Sequence, residues 1–313
     1  MSVVTAPDRT DAPAPVRPGA ARRTARLKES LTGWAFISPN LILLALFLFF
    51  PILWAIQLSF QETRGFGDPE WVGLANYTRM MTDPVFWLSM GNTIVFTIVT
   101  VPVVMAAGLG LAVLVNSVLP ARGIWRTIIV LPMVISGVAS GMIAVALFYE
   151  SNGLINKVLA AMNLEPISWQ SDGTAAMISV MIVAVWLRVG FNMIIYLAGL
   201  QGISPELYEA ARIDGASRWQ QFRSVTIPLV GPSSFFLLIM NVIASFQVFD
   251  LIFVMTGGGP GNATSVLVTY AYRNGFQIRE PGYGAAIGIV ILLITLVFTF
   301  IQWKTSRTRD MVE

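Results

Sequence analysis

The sequence contains no cysteine and no histidine in 313 residues. The first absence excludes disulfide bonds, thiolate nucleophiles and thiolate metal sites, and the second removes the usual general base and imidazole ligand. Charge is also scarce, because 12% of the residues are Asp, Glu, Lys or Arg, against roughly 25% in an ordinary soluble domain. We therefore expect no catalytic residue, no metal site, no cofactor bound by this chain and no nucleic-acid partner.

Long apolar stretches dominate the rest of the composition. Hydrophobic residues make up 55% of the chain, and its mean hydropathy is +0.70. A helix needs about 20 apolar residues to cross the hydrocarbon layer, and lipid offers backbone groups no hydrogen-bond partners. The sequence therefore predicts an all-α polytopic membrane protein with six transmembrane helices. These helices are expected near residues 35–59, 92–116, 127–149, 176–200, 230–255 and 284–303.

The first 30 residues have a different composition, rich in proline, alanine and arginine. Without apolar periodicity such a segment cannot pack, so residues 1–30 are predicted to be a disordered basic tail. The following apolar stretch runs about 25 residues with no small-residue cleavage site, which indicates an uncleaved first span. The predicted organisation is therefore the tail, then a transmembrane domain over 31–313 that contains an inner loop at 201–228.

Orientation follows from the positive charges, which accumulate on the cytoplasmic side of membrane proteins. The tail, the loop near Arg122, the polar segment near Arg218 and the C-terminal end together carry 14 Lys and Arg residues. The loops on the opposite side carry five. Both termini and the polar segment are therefore predicted to lie in the cytoplasm.

The polar segment runs from Ser204 to Pro228 between two apolar stretches. Ser204 followed by proline and glutamate is typical of a helix start, and Asp214-Gly215 should end that helix. A capping box at Ser217 starts a second helix that should end before Pro228. The segment is thus predicted to be a helix-turn-helix under the membrane, shaped to fit a partner's cleft. Its apolar anchors would be Leu207, Tyr208, Trp219 and Phe222. The alternative is an amphipathic loop whose aromatic side chains rest on lipid headgroups.

The order of residues in this segment resembles a known motif. Glu209-Ala210-Ala211, three residues, Gly215, nine residues and Val225-Thr226-Ile227-Pro228 are similar to the E-A-A-x3-G-x9-I-x-L-P loop of ATP-binding-cassette (ABC) importer permeases. Valine and isoleucine stand here at the isoleucine and leucine positions of the motif. The segments 186–200 and 246–262 further resemble the sugar-permease branch, which is maltose-transporter-like. The resemblance implies the type I ABC importer permease fold.

The resemblance also implies partners and roles. Such a permease pairs with a second homologous permease, two cytoplasmic ATPase subunits and an external solute-binding protein, in the bacterial cytoplasmic membrane. ATP and Mg would bind to the ATPases, and this chain would form half of the path for a di- or oligosaccharide. No large domain lies between the early spans, so smaller loops would contact the binding protein. The ATPase-coupling residues would be Glu209, Ala210, Ala211, Asp214, Gly215, Ile227 and Pro228.

Charged and polar residues within the spans are candidates for the substrate path. Arg188 lies about 12 residues, or roughly 18 Å of helix rise, inside the fourth span, and a charge at that depth is a functional candidate. Its expected carboxylate partner is Asp250, although Asp250 lies nearer the outer end of the fifth span. Asn192, Asn241 and Gln247 add hydrogen-bonding groups, with Tyr196 and Ser245, while Phe191, Phe246 and Phe249 could stack on sugar rings. Helix packing remains an alternative role for each of them.

Two alternatives to sugar import stay open. Glycerol phosphate or another polyol derivative is a second candidate solute, because Arg188 would favour an anionic group. An ion-coupled secondary transporter would also carry charges in its spans. That second class has no use for a docking helix-turn-helix, and the sequence shows no internal repeat.

Overall fold

The computed structural model describes residues 33–62, 67–117 and 121–309, with side chains described as far as residue 304. The predicted tail over 1–30 lies outside the described residues. Contacts divide the chain into two compact units, with the division after Trp54.

The described part of the first unit is helical. It belongs to helix α1 (Gly33–Ser59), which is long and apolar enough to cross a membrane and confirms the first predicted span. Pro51 lies inside this helix, two residues after the end of a π-helical turn over Ala45–Phe49. Proline has no N–H group to donate to the preceding turn, and a π turn is one way in which a helix adapts to that loss. The Phe50 and Trp54 rings meet edge to face with their centroids 5.7 Å apart.

The second unit contains the end of α1, then a short antiparallel hairpin, and continues with helices. In the hairpin, Gln61 pairs with Trp71 and Glu62 with Glu70. The elements are β1 (Gln61–Glu62), β2 (Glu70–Trp71), α2 (Ala75–Thr82), α3 (Pro84–Asn116), α4 (Arg122–Val134), α5 (Gly137–Leu147), α6 (Leu154–Ala161), α7 (Gly173–Gln201), α8 (Pro205–Ile213), α9 (Arg218–Leu229), α10 (Gly231–Phe246), α11 (Asp250–Met255), α12 (Leu267–Tyr272) and α13 (Pro281–Arg309).

The described residues contain four helices that could each cross a membrane alone, namely α1, α3, α7 and α13. Two further pairs pass the same test together but are bent, α4 with α5 by 99° and α9 with α10 by 65°. Counting each bent pair as one crossing gives six candidate crossings, as many as predicted, although the second pair begins at Arg218 and so includes part of the predicted inner loop ahead of the predicted span at 230–255. The mostly helical, six-span fold class is therefore confirmed.

The prediction of single continuous helices at 127–149 and 230–255 is wrong. The first is interrupted after Val134, where Pro132 lies in the last turn and Ser136 caps the next helix by accepting from the Ala139 N–H at 3.2 Å. The second is interrupted between Phe246 and Asp250. Broken helices at membrane depth are tolerated where the freed backbone is buried in protein or lines a cavity.

Glycines allow the helices of the second unit to approach closely. A Cβ on Gly108 of α3 would lie 2.5 Å from the Asn192 Cβ on α7, and one on Gly190 would lie 2.6 Å from the Ile129 carbonyl oxygen on α4. Gly137 and Gly141, spaced one helical turn apart on α5, meet Asp250 and Val254 of α11. The four-residue glycine spacing therefore serves packing within this chain, as small residues do between membrane helices.

Asp83 joins the start of α3 to the starts of two later elements. One carboxylate oxygen accepts from the Val85 N–H at 2.9 Å and the Phe86 N–H at 3.3 Å, which caps α3. The other accepts from the Tyr270 hydroxyl at 2.5 Å and the Tyr283 hydroxyl at 2.6 Å. Burial and the neighbouring carboxylate raise the pKa of Tyr270 to about 12, so this hydroxyl keeps the proton that it donates.

These contacts predict a pH-dependent contribution of Asp83 to stability. Burial alone would raise the pKa of Asp83, but the four hydrogen bonds outweigh it and hold the pKa below its ordinary value of 3.8. The contribution is therefore complete above pH 3.8 and is lost as the pH falls towards the lower folded-state pKa. Asp83→Asn should cost about 1–3 kcal/mol at pH 7. Thermal unfolding should show a larger deficit at pH 7 than at pH 3, with exposed Asp68→Asn as the control; equal deficits at both values would contradict this role.

Candidate functional site

The polar segment folds as the predicted helix-turn-helix. Its first helix, α8, starts at Pro205, and the Ser204 hydroxyl accepts from the Glu206 N–H at 3.4 Å. Proline costs nothing at the first helical position, where the N–H has no partner within the helix. Glu206 lies in the first turn, where a negative charge is favoured by the helix dipole.

The end of α8 is a Schellman motif built around Gly215. The Ala216 N–H donates to the Ala211 carbonyl at 2.9 Å, and the Gly215 N–H donates to the Arg212 carbonyl at 3.1 Å. Gly215 has a φ of +79°, in the left-handed region that L side chains disfavour. Apart from its two chain neighbours, no described residue has an atom within 4 Å of a Cβ placed there. Backbone conformation rather than space therefore makes glycine the suitable residue at this turn.

The second helix, α9, begins with the predicted capping box and runs longer than predicted. The Gln220 side chain accepts from the Ser217 N–H at 2.7 Å, and the Ser217 hydroxyl accepts from the Gln220 N–H at 3.3 Å. The expected end before Pro228 is wrong, because the helix continues to Leu229. A π-helical turn over Phe222–Thr226 precedes the proline and accommodates its missing N–H.

The two short helices form a projecting surface with a groove between them. The Tyr208 hydroxyl lies 3.0 Å from the Thr226 hydroxyl and ties α8 to α9. A depression of about 280 Å³ lies next to the turn. Ile213 at the turn is 86% exposed and Trp219 is 67% exposed, so apolar side chains face outward. Of the predicted coupling residues, Ala211 is half-buried, and the exposed ones are Glu209, Ala210, Asp214, Gly215, Ile227 and Pro228.

A second feature is a cavity of about 540 Å³ among α3, α7 and α10. Its wall includes the interruption between α4 and α5 at Ile135 and the interruption before α11 at Gln247. Most of the lining is apolar. Four of the five predicted substrate-path residues line it, as do Phe191 and Ser245; the four are Arg188, Asn241, Gln247 and Asp250.

An asparagine pair holds Arg188 in place. Asn241 donates to the Asn192 side-chain oxygen at 2.7 Å, and its own oxygen accepts from Asn192 at 3.3 Å and from Arg188 Nε at 3.3 Å. Asn192 is fully buried and also donates to the Arg188 carbonyl at 3.0 Å. Asn192 therefore supports the cavity wall from behind, whereas Arg188 and Asn241 face the cavity.

The predicted pairing of Arg188 with Asp250 is wrong. Within the described part of the chain, these two residues form no ion pair, although both line the cavity. The Asp250 carboxylate instead lies against Gly137 at the start of α5, where a Cβ would overlap it, and one of its oxygens accepts from the Leu251 N–H at 2.9 Å. Asp250 is therefore packed against the start of α5 rather than paired with Arg188.

Other lining residues were not predicted. Met133 and Ile135 reach the cavity only because α4 ends there, and Phe96 and Thr100 reach it from α3. Pro132, followed four residues later by Ser136-Gly137, is a sequence signal that could have located the interruption. Two predicted stacking residues lie elsewhere, since Phe246 packs on Phe298 at 5.8 Å and Phe249 packs on Phe253 at 5.2 Å. Tyr196 is buried in the packing of α7.

Comparison with known proteins identifies the family to which the chain belongs. Residues 94–307 match the model of the binding-protein-dependent transport system inner membrane component. The chain belongs to this family. It is thus a multi-pass permease subunit rather than an enzyme, and the ion-coupled secondary-transporter alternative is set aside.

Similar permeases include curated proteins with named solutes. The lactose transport system permease protein of Rhizobium radiobacter is 36% identical, over 92% of this chain and 98% of its own. The trehalose/maltose transport system permease protein of Thermococcus litoralis is 34% identical, over 91% and 98%. The sn-glycerol-3-phosphate transport system permease protein of Agrobacterium fabrum is 32% identical, over 88% and 94%.

A solved structure confirms the fold of the permease. A subunit of a bacterial ABC transporter involved in the import of the acidic polysaccharide alginate superposes with a TM-score of 0.81 at 26% identity. The match covers 92% of this chain and 99% of that one. The fold is therefore that of an ABC importer permease, as the sequence motifs predicted.

Proposed function

We propose that this permease forms one half of the translocation path of an ATP-driven importer for a carbohydrate, specifically a di- or oligosaccharide. It would work with a second homologous permease, two cytoplasmic ATPase subunits and an external solute-binding protein in the bacterial cytoplasmic membrane. ATP and Mg would bind to the ATPases. Residues 1–30 would form a cytoplasmic tail, and residues 31–313 the transmembrane domain.

The main observation in support of this proposal is the composition of the cavity wall. It places a guanidinium, two amides and a carboxylate on a largely apolar wall, from Arg188, Asn241, Gln247 and Asp250. A few convergent polar groups in an apolar pocket are typical of small-molecule sites. These groups can hydrogen-bond to the hydroxyls of a neutral sugar without requiring a net charge on it. Several relatives are named for saccharides, including lactose, trehalose and maltose.

The helix-turn-helix supports the coupling half of the proposal. Two capped helices joined by a Schellman turn make a stiff projection, and exposed Ile213 at its tip supplies apolar surface for a partner. We assign docking onto the ATPase to the surface of Glu209, Ala210, Ala211, Asp214, Gly215, Ile227 and Pro228. A rigid contact of this kind can carry ATP-driven movement into the transmembrane helices as a rigid-body transition.

Purification from the native membrane in a mild detergent tests the assembly. Mass spectrometry should find one second permease and an ATPase pair with this chain, and the reconstituted complex with its binding protein should import a saccharide in an ATP-dependent manner. Recovery of the chain alone or as a homo-oligomer would contradict the assembly. Import of no saccharide by a complete complex would contradict the solute class alone.

Glycerol phosphate remains a second candidate solute, supported by two observations. Arg188 faces the cavity and forms no ion pair among the described residues, so it could bind an anionic group. One relative is named for sn-glycerol-3-phosphate. Competition of labelled saccharide uptake by sn-glycerol-3-phosphate would distinguish the two solutes.

The proposed orientation predicts the result of cysteine labelling. The chain has no native cysteine, so single variants carry no background. Thr78→Cys on α2 and Arg218→Cys on α9 both replace exposed side chains. A membrane-impermeant maleimide applied to intact spheroplasts should label only Thr78→Cys, and Arg218→Cys should react only after permeabilisation. Labelling in the opposite order would overturn the orientation.

A further inference from the structure

Four aromatic rings form a continuous cluster that begins next to the cavity lining, and only one of them, Phe249, was among the predicted stacking residues. Phe249 and Phe253 stack at 5.2 Å, and both contact Tyr272, at 5.0 and 5.4 Å. Tyr272 in turn stacks on Phe276 at 5.2 Å. The cluster therefore links α11 to the turn that follows α12.

The two ends of this aromatic cluster have different surroundings. Phe249 is flanked in sequence by Val248 and Asp250, which both line the cavity. At the other end, Phe276 is 74% exposed. In the proposed orientation this end belongs to the external side, so the rings lead from the outer surface to the cavity rim.

Polar groups border the middle of the cluster. A small depression of about 30 Å³ is lined by Phe253 and Tyr272 together with Asn262, Arg273 and Gln277. The Arg273 guanidinium is held in place, because it donates to the Asn262 side-chain oxygen at 2.8 Å. The Arg273 and Gln277 side chains are exposed beside the rings, which favours contact with a polar ligand over contact with lipid alone, since polar groups that face lipid are costly.

We propose that this aromatic cluster, with Arg273 and Gln277, is an outer saccharide-binding subsite at which a sugar ring stacks before it enters the cavity. The apolar face of a pyranose would lie on the exposed Phe276 ring, which Tyr272 supports from the other side. Its hydroxyls would then hydrogen-bond to the guanidinium and the amide. This inference rests on the proposed function, because only a carbohydrate offers both an apolar ring face and a rim of hydroxyls.

Equilibrium binding to the purified complex tests the subsite directly. The probe is whichever of lactose, trehalose, maltose and arabinotriose the wild-type importer takes up, radiolabelled and presented without the binding protein. Tyr272→Ala and Phe276→Ala should each raise the Kd about fivefold, the range of one lost aromatic stacking contact. Tyr272→Phe keeps the ring and should retain the wild-type Kd. Phe300→Ala removes an exposed aromatic from α13 and serves as the matched control.

The outcomes separate this inference from the proposed function. An unchanged Kd in Tyr272→Ala, with saccharide uptake intact in the wild type, would overturn the subsite and leave the function standing. Loss of the second permease from Tyr272→Ala complexes, with Tyr272→Phe complexes intact, would assign the rings to a subunit contact and also overturn the subsite. A complete wild-type complex that neither binds nor imports any of the four saccharides would overturn both.

Discussion

Gly215→Val is expected to reduce ATP-driven uptake by about tenfold or more while the permease remains in the membrane at its normal level. A left-handed conformation costs an L-residue roughly 1–2 kcal/mol, and more when the side chain is β-branched. The φ of +79° at Gly215 closes the Schellman turn between α8 and α9, so valine would shift the loop away from this conformation. If docking onto the ATPase requires this turn, uptake should fall by about the same factor as the fraction of permease molecules in the docking-competent conformation.

Two matched variants separate backbone strain at Gly215 from the other effects of adding a side chain. Gly215→Asn should retain most of the uptake, because asparagine adopts the left-handed region more readily than other L-residues. Gly123→Val adds the same side chain in the first turn of α4, where a Cβ also has open space but φ is not positive. It should leave uptake within about twofold of wild type. Wild-type uptake in Gly215→Val would remove the coupling role from the turn.

The helix-turn-helix could be predicted in detail because its signals are local. Ser204, Gly215 and the Ser217 to Gln220 capping box each act within a few residues along the chain, and all three behave as expected. The one local error concerns the end of α9 at Pro228. A proline normally ends a helix, but the π-helical turn before it allows α9 to continue.

The cavity could be predicted only as a set of residue types. Six apolar stretches fixed which helices exist, and polar residues within them marked candidates. The predicted partner of Arg188 was wrong because side-chain pairing depends on packing between segments that are distant in the sequence. Asn241 lies 53 residues from Arg188, and α5 occupies the space beside Asp250 because its Gly137 has no side chain. Neither relation leaves a periodic signal in the sequence.

The interruptions in the third and fifth spans illustrate the same limit. Hydropathy cannot distinguish a continuous apolar helix from two half-helices, because the interrupting residues, such as Ile135 and Val248, are themselves apolar. Both of these residues line the cavity. The interruptions thus contribute to the cavity wall, and Pro132 and the capping Ser136 are local traces of the first one.

Arg188→Gln is expected to reduce solute uptake by about tenfold or more while leaving assembly of the complex within about twofold of wild type. The loss of one hydrogen bond to a charged group, about 1.5–3 kcal/mol, corresponds to that factor. Glutamine can still donate to the Asn241 oxygen, so the asparagine pair should keep its geometry. What disappears is the positive charge and the guanidinium donors that face the cavity.

Asn192→Leu provides the contrast, because Asn192 is buried behind the cavity wall and pairs with Asn241. Leucine would leave the Asn241 amide without its partner, at a cost of about 1–3 kcal/mol. This variant should therefore reduce the amount of assembled complex, and uptake should fall only in proportion. The measurement is initial uptake per assembled complex, with the complex quantified by copurification of the second permease. If Arg188→Gln instead follows the pattern of Asn192→Leu, Arg188 is a structural residue and the cavity loses its proposed solute contact.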